Sequence, residues 1–200
     1  MSMETAKPSA LRYLAIALGL AVLQTAVLGW MIESRAGILR SGEEILLKTA
    51  PVDPRDLLRG DYVILAYDIS TVPVALITGD RPAAPGWQVM QVRLKPGVDG
   101  FWTVAEASFG ALAREAGSVV LETQRFYYYG SADLAADAGA SLRVDYGIER
   151  FYVPEGEGRE IETGRNAGAV TVVVRVGKSG RGQIRELRMD GAALYQEPLY

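Results

Sequence analysis

Residues Pro51–Tyr67, PVDPRDLLRGDYVILAY, bring carboxylates, guanidinium groups, glycine and tyrosine into one short stretch. Asp53, Arg55, Arg59 and Asp61 could bind a charged group, and Asp61 could act as an acid, a base or an oxygen ligand. A second polar run, Tyr146 to Glu162, supplies Glu149, Tyr152, Glu155, Glu157, Glu160 and Glu162, with Arg150 and Arg159 among them. Asp61 with Glu155 would make a carboxylate pair able to hold Ca²⁺ or Mg²⁺ or to pass a proton. No loop carries a recognised metal-ligand spacing, so neither a metal nor a cofactor is expected. The chain has no His and no Cys. That removes Ser-His and Cys-His nucleophiles, imidazole and thiolate metal sites, and disulfides. Carboxylate, lysine or tyrosine chemistry and plain binding remain, and no catalytic residue is assigned. Each of these residues also has a structural reading: Gly60 as a turn glycine, Asp61 as a cap or turn acceptor, Tyr62 and Tyr67 as packing rings.

The elements that would position these residues follow from local pattern. Asp53 before Pro54 reads as an N-cap and first helical position of a single turn that Gly60 ends. Asp61 then leads into a strand whose Val63, Leu65 and Tyr67 share an inward face, with Tyr62, Ile64 and Ala66 opposite. A short helix over Glu155–Asn166 would line up Glu155, Arg159 and Glu162 on one solvated, ion-paired face, with Gly168 as its stop. β-Branched and aromatic runs predict strands over Glu44–Thr49, Tyr62–Ile69, Val74–Thr78, Trp87–Leu94, Trp102–Ala107, Val119–Tyr129, Leu142–Tyr146, Val170–Val176 and Ile184–Met189. The last two should form a hairpin through Lys178–Gly182, and PGVDG after Lys95 reads as a tight turn. Ser108–Ala116 could make one or two helical turns, and Ser131–Ala140 reads as an exposed loop. In Tyr127-Tyr128-Tyr129 the faces alternate, so at least one ring points to solvent or a partner. The expected fold is mostly β (α+β): one antiparallel β-rich domain with one or two short helices.

Ahead of this domain lies Tyr13 to Ile32, YLAIALGLAVLQTAVLGWMI, without one charge. At about 1.5 Å per residue it reaches the roughly 30 Å of a hydrocarbon core, with Tyr13 and Trp30 at headgroup level. A cleaved signal peptide has a shorter apolar stretch, although Ser34-Arg35-Ala36 resembles a cleavage site, so an uncleaved anchor is favoured. The organisation expected is a tail at 1–12, an anchor at 13–32, a tether at 33–42 and the β-rich domain at 43–200. Lys7, Arg12 and the terminal amine before the helix are matched by Arg35, Arg40 and Lys48 after it, so local charge does not decide the orientation. A short positive tail is hard to translocate while a long domain is exported largely regardless of charge, so the N-terminus is expected inside and the domain across. The expected location is therefore the inner (cytoplasmic) membrane, single-pass, with the domain on the periplasmic or extracellular side. From Glu33 on, 19 basic and 23 acidic side chains leave −4, which gives no reason to expect the domain to cling to anionic lipid. The whole chain carries −3, so nucleic acid is not an expected partner.

Gly60-Asp61-Tyr62-Val63-Ile64-Leu65-Ala66-Tyr67 matches in full the signature of the GDYXXLXY protein family. Tyr146-Gly147-Ile148-Glu149-Arg150-Phe151-Tyr152-Val153-Pro154-Glu155-Gly156-Glu157-Gly158, with Glu162, resembles that family's second block. The resemblance implies a bacterial, membrane-associated domain and supplies no biochemical activity; the company some relatives keep with multi-spanning proteins implies a membrane-protein partner. Val52 to Leu65 is also similar to the serine-containing box of type I signal peptidases. Leu57, Gly60 and Asp61 agree with that box, while Val52 stands in the nucleophile's place and cannot attack a carbonyl.

The function expected is a non-catalytic, membrane-anchored interaction module of the bacterial envelope that partners a membrane protein. Its candidate surface is Asp53, Arg55, Arg59, Gly60, Asp61, Tyr62, Tyr67, Tyr146, Glu149, Tyr152, Glu155 and Glu162, with the two blocks side by side. The alternative is a peptidase-like or carboxylate-dependent envelope hydrolase. A third reading makes the helix itself the interface, through Gly19, Gln24, Thr25 and Ala26.

Overall fold

The computed structural model describes residues 10–52, 62–130 and 139–198. Ala10–Ser41 form one 32-residue helix, α1. Residues 10–35 are exposed along its whole apolar length. The helix does not stop where the apolar run does. Residues 33–41, expected to be a tether, are its last turns, because Ala36 and Leu39 are buried where α1 meets Val170–Val176 and Gly182–Met189. Gly42 ends it: its N–H donates to the Ile38 carbonyl at 2.8 Å. A Cβ at Gly42 would lie 2.5 Å from that same oxygen and 3.1 Å from the backbone N and O of Val176. Close approach, not a positive φ, is what demands glycine here.

The rest is β-rich and antiparallel, with 39% of the described residues in strands. One sheet runs in the order Ala192–Gln196, Gly182–Met189, Val170–Val176, Glu43–Ala50, Ala66–Tyr67. A second runs Ile77–Thr78, Trp102–Ser108, Gln91–Pro96, Val119–Glu122. Its pairing of Ile77–Thr78 with Ala107–Ser108 is parallel, an exception to the expected pattern. The hairpin through Lys178–Gly182 forms as expected, with a bulge between Val173 and Val174 that buries both. Alternating valine, isoleucine and leucine side chains of both sheets meet in one core that includes Ile45, Leu47, Val92, Leu94, Leu121 and Val172. Each side chain so buried contributes about 1.5–3 kcal/mol.

Several elements differ from the sequence expectation, each for a visible reason. Val74–Leu76 are a 3₁₀ turn between short strands at Thr71–Pro73 and Ile77–Thr78. Ser108–Ala116 are not helical beyond the strand end at Ser108, because side chains of the neighbouring strand satisfy that backbone instead. Gln91 Oε1 accepts the Leu112 N–H at 2.8 Å, and the Arg93 guanidinium donates to the Ala113 carbonyl at 2.8 Å. The second helix, α2, spans Gly158–Asn166, so Glu155 lies in the turn before it, where Gly156 takes φ +91°. The Glu155–Arg159–Glu162 face therefore does not form as one helical stripe. Arg150–Tyr152 and Ala192–Gln196 are strands the sequence pattern did not reveal. Of the expected loop Ser131–Ala140, residues 131–138 lie outside the described residues, as does the expected turn Asp53–Gly60.

Candidate functional site

The described parts of the two polar blocks run antiparallel to one another. Tyr62, Val63 and Ile64 pair with Tyr152, Phe151 and Arg150, and the Leu65 N–H continues the ladder to the Glu149 carbonyl at 2.8 Å. The same register resumes further on. The Val144 N–H donates to the Ser70 carbonyl at 2.9 Å, and Thr71–Pro73 pair with Ser141–Arg143. Between these ladders the strands part, because Ala66 and Tyr67 pair instead with Ala50 and Thr49 of the large sheet. Two tyrosine hydroxyls span the gap. Tyr67 Oη donates to the Ile148 carbonyl at 2.7 Å, and Tyr146 Oη donates back to the Ile69 carbonyl at 2.8 Å. Tyr67 of the first block and Tyr146 of the second thus each lend a buried hydroxyl to a main-chain oxygen of the opposite segment.

Burial, and secondarily the Glu149 carboxylate, push the Tyr67 and Tyr146 hydroxyls above the usual phenol range. Glu149 folds back on its own turn and accepts the N–H groups of Tyr146 at 2.5 Å and Gly147 at 2.8 Å. Burial raises its carboxyl above the ordinary range, and those N–H groups oppose the rise. Gly147, at φ +82°, allows that turn, and Gln124 packs where its Cβ would be. α2 holds the near end. Arg165, 1% exposed, donates to the Ile64 carbonyl and, at 3.5 Å, to the Val52 carbonyl, while Asn166 Oδ1 steadies its guanidinium at 3.1 Å. Val52 and Ile64 lie on either side of residues 53–61, so one side chain ties the two ends of the motif together. Burial lowers the Arg165 pKa from its usual value.

Where the strands part there is a cleft of about 700 Å³. Arg143 and Arg150 line it together with Asp145 and Glu149, so both charge signs are present. Ser70 also lines it, and its buried Oγ has no hydrogen-bond partner among the described residues. At the rim, the Tyr62 and Tyr152 rings are 5.9 Å apart and the Arg150 guanidinium lies 5.7 Å from the Tyr62 ring centre, within cation–π range. Such a surface can recognise partners by hydrogen bonds, ion pairs and ring contacts. The described lining holds the carboxylates of Asp145 and Glu149 and no lysine. No group of three or more acidic ligands suited to a metal occurs among the described residues.

The sequence-proposed residues separate into three groups. Tyr62, Glu149 and Tyr152 meet at or beside the cleft, and Tyr152 is 72% exposed. Tyr67 and Tyr146 are buried, at 1% and 3%, so they support the surface from within and are not part of it. Glu155 and Glu162 do not line the cleft, since one precedes α2 and the other sits on it near Arg165. Asp53, Arg55, Arg59, Gly60 and Asp61 lie outside the described residues, and the proposed Asp61–Glu155 pair with them. Sequence reasoning missed Ser70, Arg143, Asp145 and Arg165. The alternation of LRVDY could have revealed Arg143 and Asp145, which face outward while Val144 is buried; nothing local marks Arg165 as a buried clip.

No curated protein and no solved structure matches the chain. The family comparison does match, over residues 24–187, which takes in the end of the apolar helix, both polar blocks, the tyrosine clasp and the cleft. On that match the chain belongs to the GDYXXLXY protein family.

Proposed function

We propose that this protein is an uncleaved single-pass membrane protein whose β-rich domain is a non-catalytic interaction module that docks on a membrane protein. Tyr62, Arg150 and Tyr152 at the cleft rim form the contact surface. The observation that carries the reading is a division of labour within the family blocks. Leu65, Tyr67 and Tyr146 are spent on core packing and buried hydrogen bonds, whereas Arg150 and Tyr152 are exposed beside the half-buried Tyr62 ring. Tyrosine and arginine are the residue types that dominate protein–protein contacts. Retention of the anchor is supported by the continuity of α1 through Ser34–Ala36 and by the burial of Ala36 and Leu39 in the domain. Cleavage after Ala36 would remove the buried Ala36 contact and leave Leu39 on a five-residue remnant of the helix. The orientation follows from the short positive tail, which is harder to translocate than a long domain: N-terminus in the cytoplasm, domain on the outer side of the inner membrane.

A photo-crosslinking side chain placed at Tyr152 in membranes should yield a discrete adduct with a membrane protein. The same group at Val98, an exposed turn position, should not. Adducts of equal yield and pattern at both positions, or none at 152, would refute the surface.

A further inference from the structure

Beside the cleft lies a second concavity of about 410 Å³, where the end of α1 meets the second polar block. Arg35 and Leu39 of α1 form one side, and Arg150 and Tyr152 are on the other. Its depth relative to the apolar run is set by helix geometry. Arg35 is three residues past Ile32, about 4.5 Å along the axis, so the pocket mouth falls at the headgroup layer of any bilayer that residues 13–32 cross. Trp30, 73% exposed, marks the same level from below, where indole rings settle. Neither Arg35 nor Arg150 forms an ion pair with a described carboxylate, in contrast to Arg40, which is paired with Glu33. Glu197 also lines the pocket and supplies one negative charge against the two guanidinium groups.

Two such guanidinium groups and an exposed tyrosine at headgroup depth complement a phosphate diester. We infer that this pocket binds the headgroup of an anionic phospholipid, seating the domain on the membrane surface in a fixed pose. The inference rests on the anchored reading above and adds a ligand to it. The net charge of −4 after Glu33 does not oppose it, because the attraction is local to the pocket and falls off within a Debye length. The close approach of Gly42 to Ile38 and Val176 packs the end of α1 directly against the domain. Burial of Ala36 and Leu39 against the domain keeps Arg35 and Arg150 on the lining of the same pocket.

The test uses the full chain in nanodiscs of phosphatidylcholine with phosphatidylglycerol, released into native mass spectrometry, with alkaline carbonate extraction of the same membranes in parallel. The intact chain should retain phosphatidylglycerol in preference to phosphatidylcholine. Arg35→Gln should lower that retention about fivefold, and Arg35→Gln with Arg150→Gln about twenty-five-fold, following the usual contribution of one arginine near anionic lipid. Arg35→Lys should keep most of it, and Arg159→Gln on α2 should leave it unchanged. A chain that resists carbonate yet shows no phosphatidylglycerol preference, or loses none in the double variant, overturns the pocket and leaves the anchor standing. Recovery of a shortened, carbonate-soluble chain overturns both.

Discussion

Replacing the two clasp tyrosines with phenylalanine separates the hydroxyl contribution from that of the rings. At about pH 8, Tyr67→Phe or Tyr146→Phe removes one hydrogen bond and leaves the carbonyl of Ile148 or Ile69 unpaired in the core, a cost of about 1–2 kcal/mol each. The alkaline behaviour is more diagnostic. Both hydroxyls have folded pKa values above the unfolded value of about 10. A raised folded pKa gives stability that is fully present below the unfolded pKa and is lost as pH rises toward the folded one. At about pH 11 an unfolded phenol gains about 1.4 kcal/mol by ionising, and a buried one gains nothing. The native chain should therefore lose about 2.8 kcal/mol from these two groups between about pH 8 and pH 11, a large part of a typical 5–15 kcal/mol. Each Phe substitution should shrink the pH 8-to-11 loss by about 1.4 kcal/mol. Urea titration of the detergent-solubilised full chain at both pH values, followed by tryptophan fluorescence, measures the difference. Spectrophotometric titration of the folded chain adds a second readout, since the double variant should remove no tyrosinate signal below about pH 11. If the double variant loses as much stability as the native chain between those pH values, the clasp is not the buried, hydrogen-bonded unit described here.

Two further substitutions probe how the clasp is framed. Arg165→Met should cost about 2–3 kcal/mol in urea titrations, because the Val52 and Ile64 carbonyls lose a charged donor; proteolysis within residues 53–61 should accelerate with it. Gly42→Ala should destabilise the helix–domain joint by about 1–3 kcal/mol, since its Cβ would meet backbone atoms of both Ile38 and Val176. A Gly42→Ala melting temperature equal to that of the native chain would mean the joint relaxes without strain.

Local pattern was enough for those features that depend on one segment at a time. The Val170–Val176 and Gly182–Met189 hairpin follows from β-branched alternation around a glycine-rich turn. The inward set Val63, Leu65 and Tyr67 follows from the period of a strand. Features that depend on two distant segments escaped it. Ser108–Ala116 has an alanine-rich composition that permits helix, yet Gln91 and Arg93 from another strand capture its backbone groups. Arg150–Tyr152 is a strand because Tyr62–Ile64 offers it an edge. The candidate surface was legible only as a list of polar residues. Which of them face outward depends on where the paired strands part.

The chain alone determines that one segment is apolar on every face and that the remainder alternates in β fashion, because hydropathy and side-chain period are local properties. It also determines, through the absence of His and Cys, which chemistries are out of reach. Tertiary structure decided the rest. It extended the helix past the apolar run, because the domain offers Ala36 and Leu39 a place to bury. It turned the two motif tyrosines into reciprocal donors, because the large sheet draws Ala66 and Tyr67 away from their partner strand and leaves main-chain oxygens there to be satisfied.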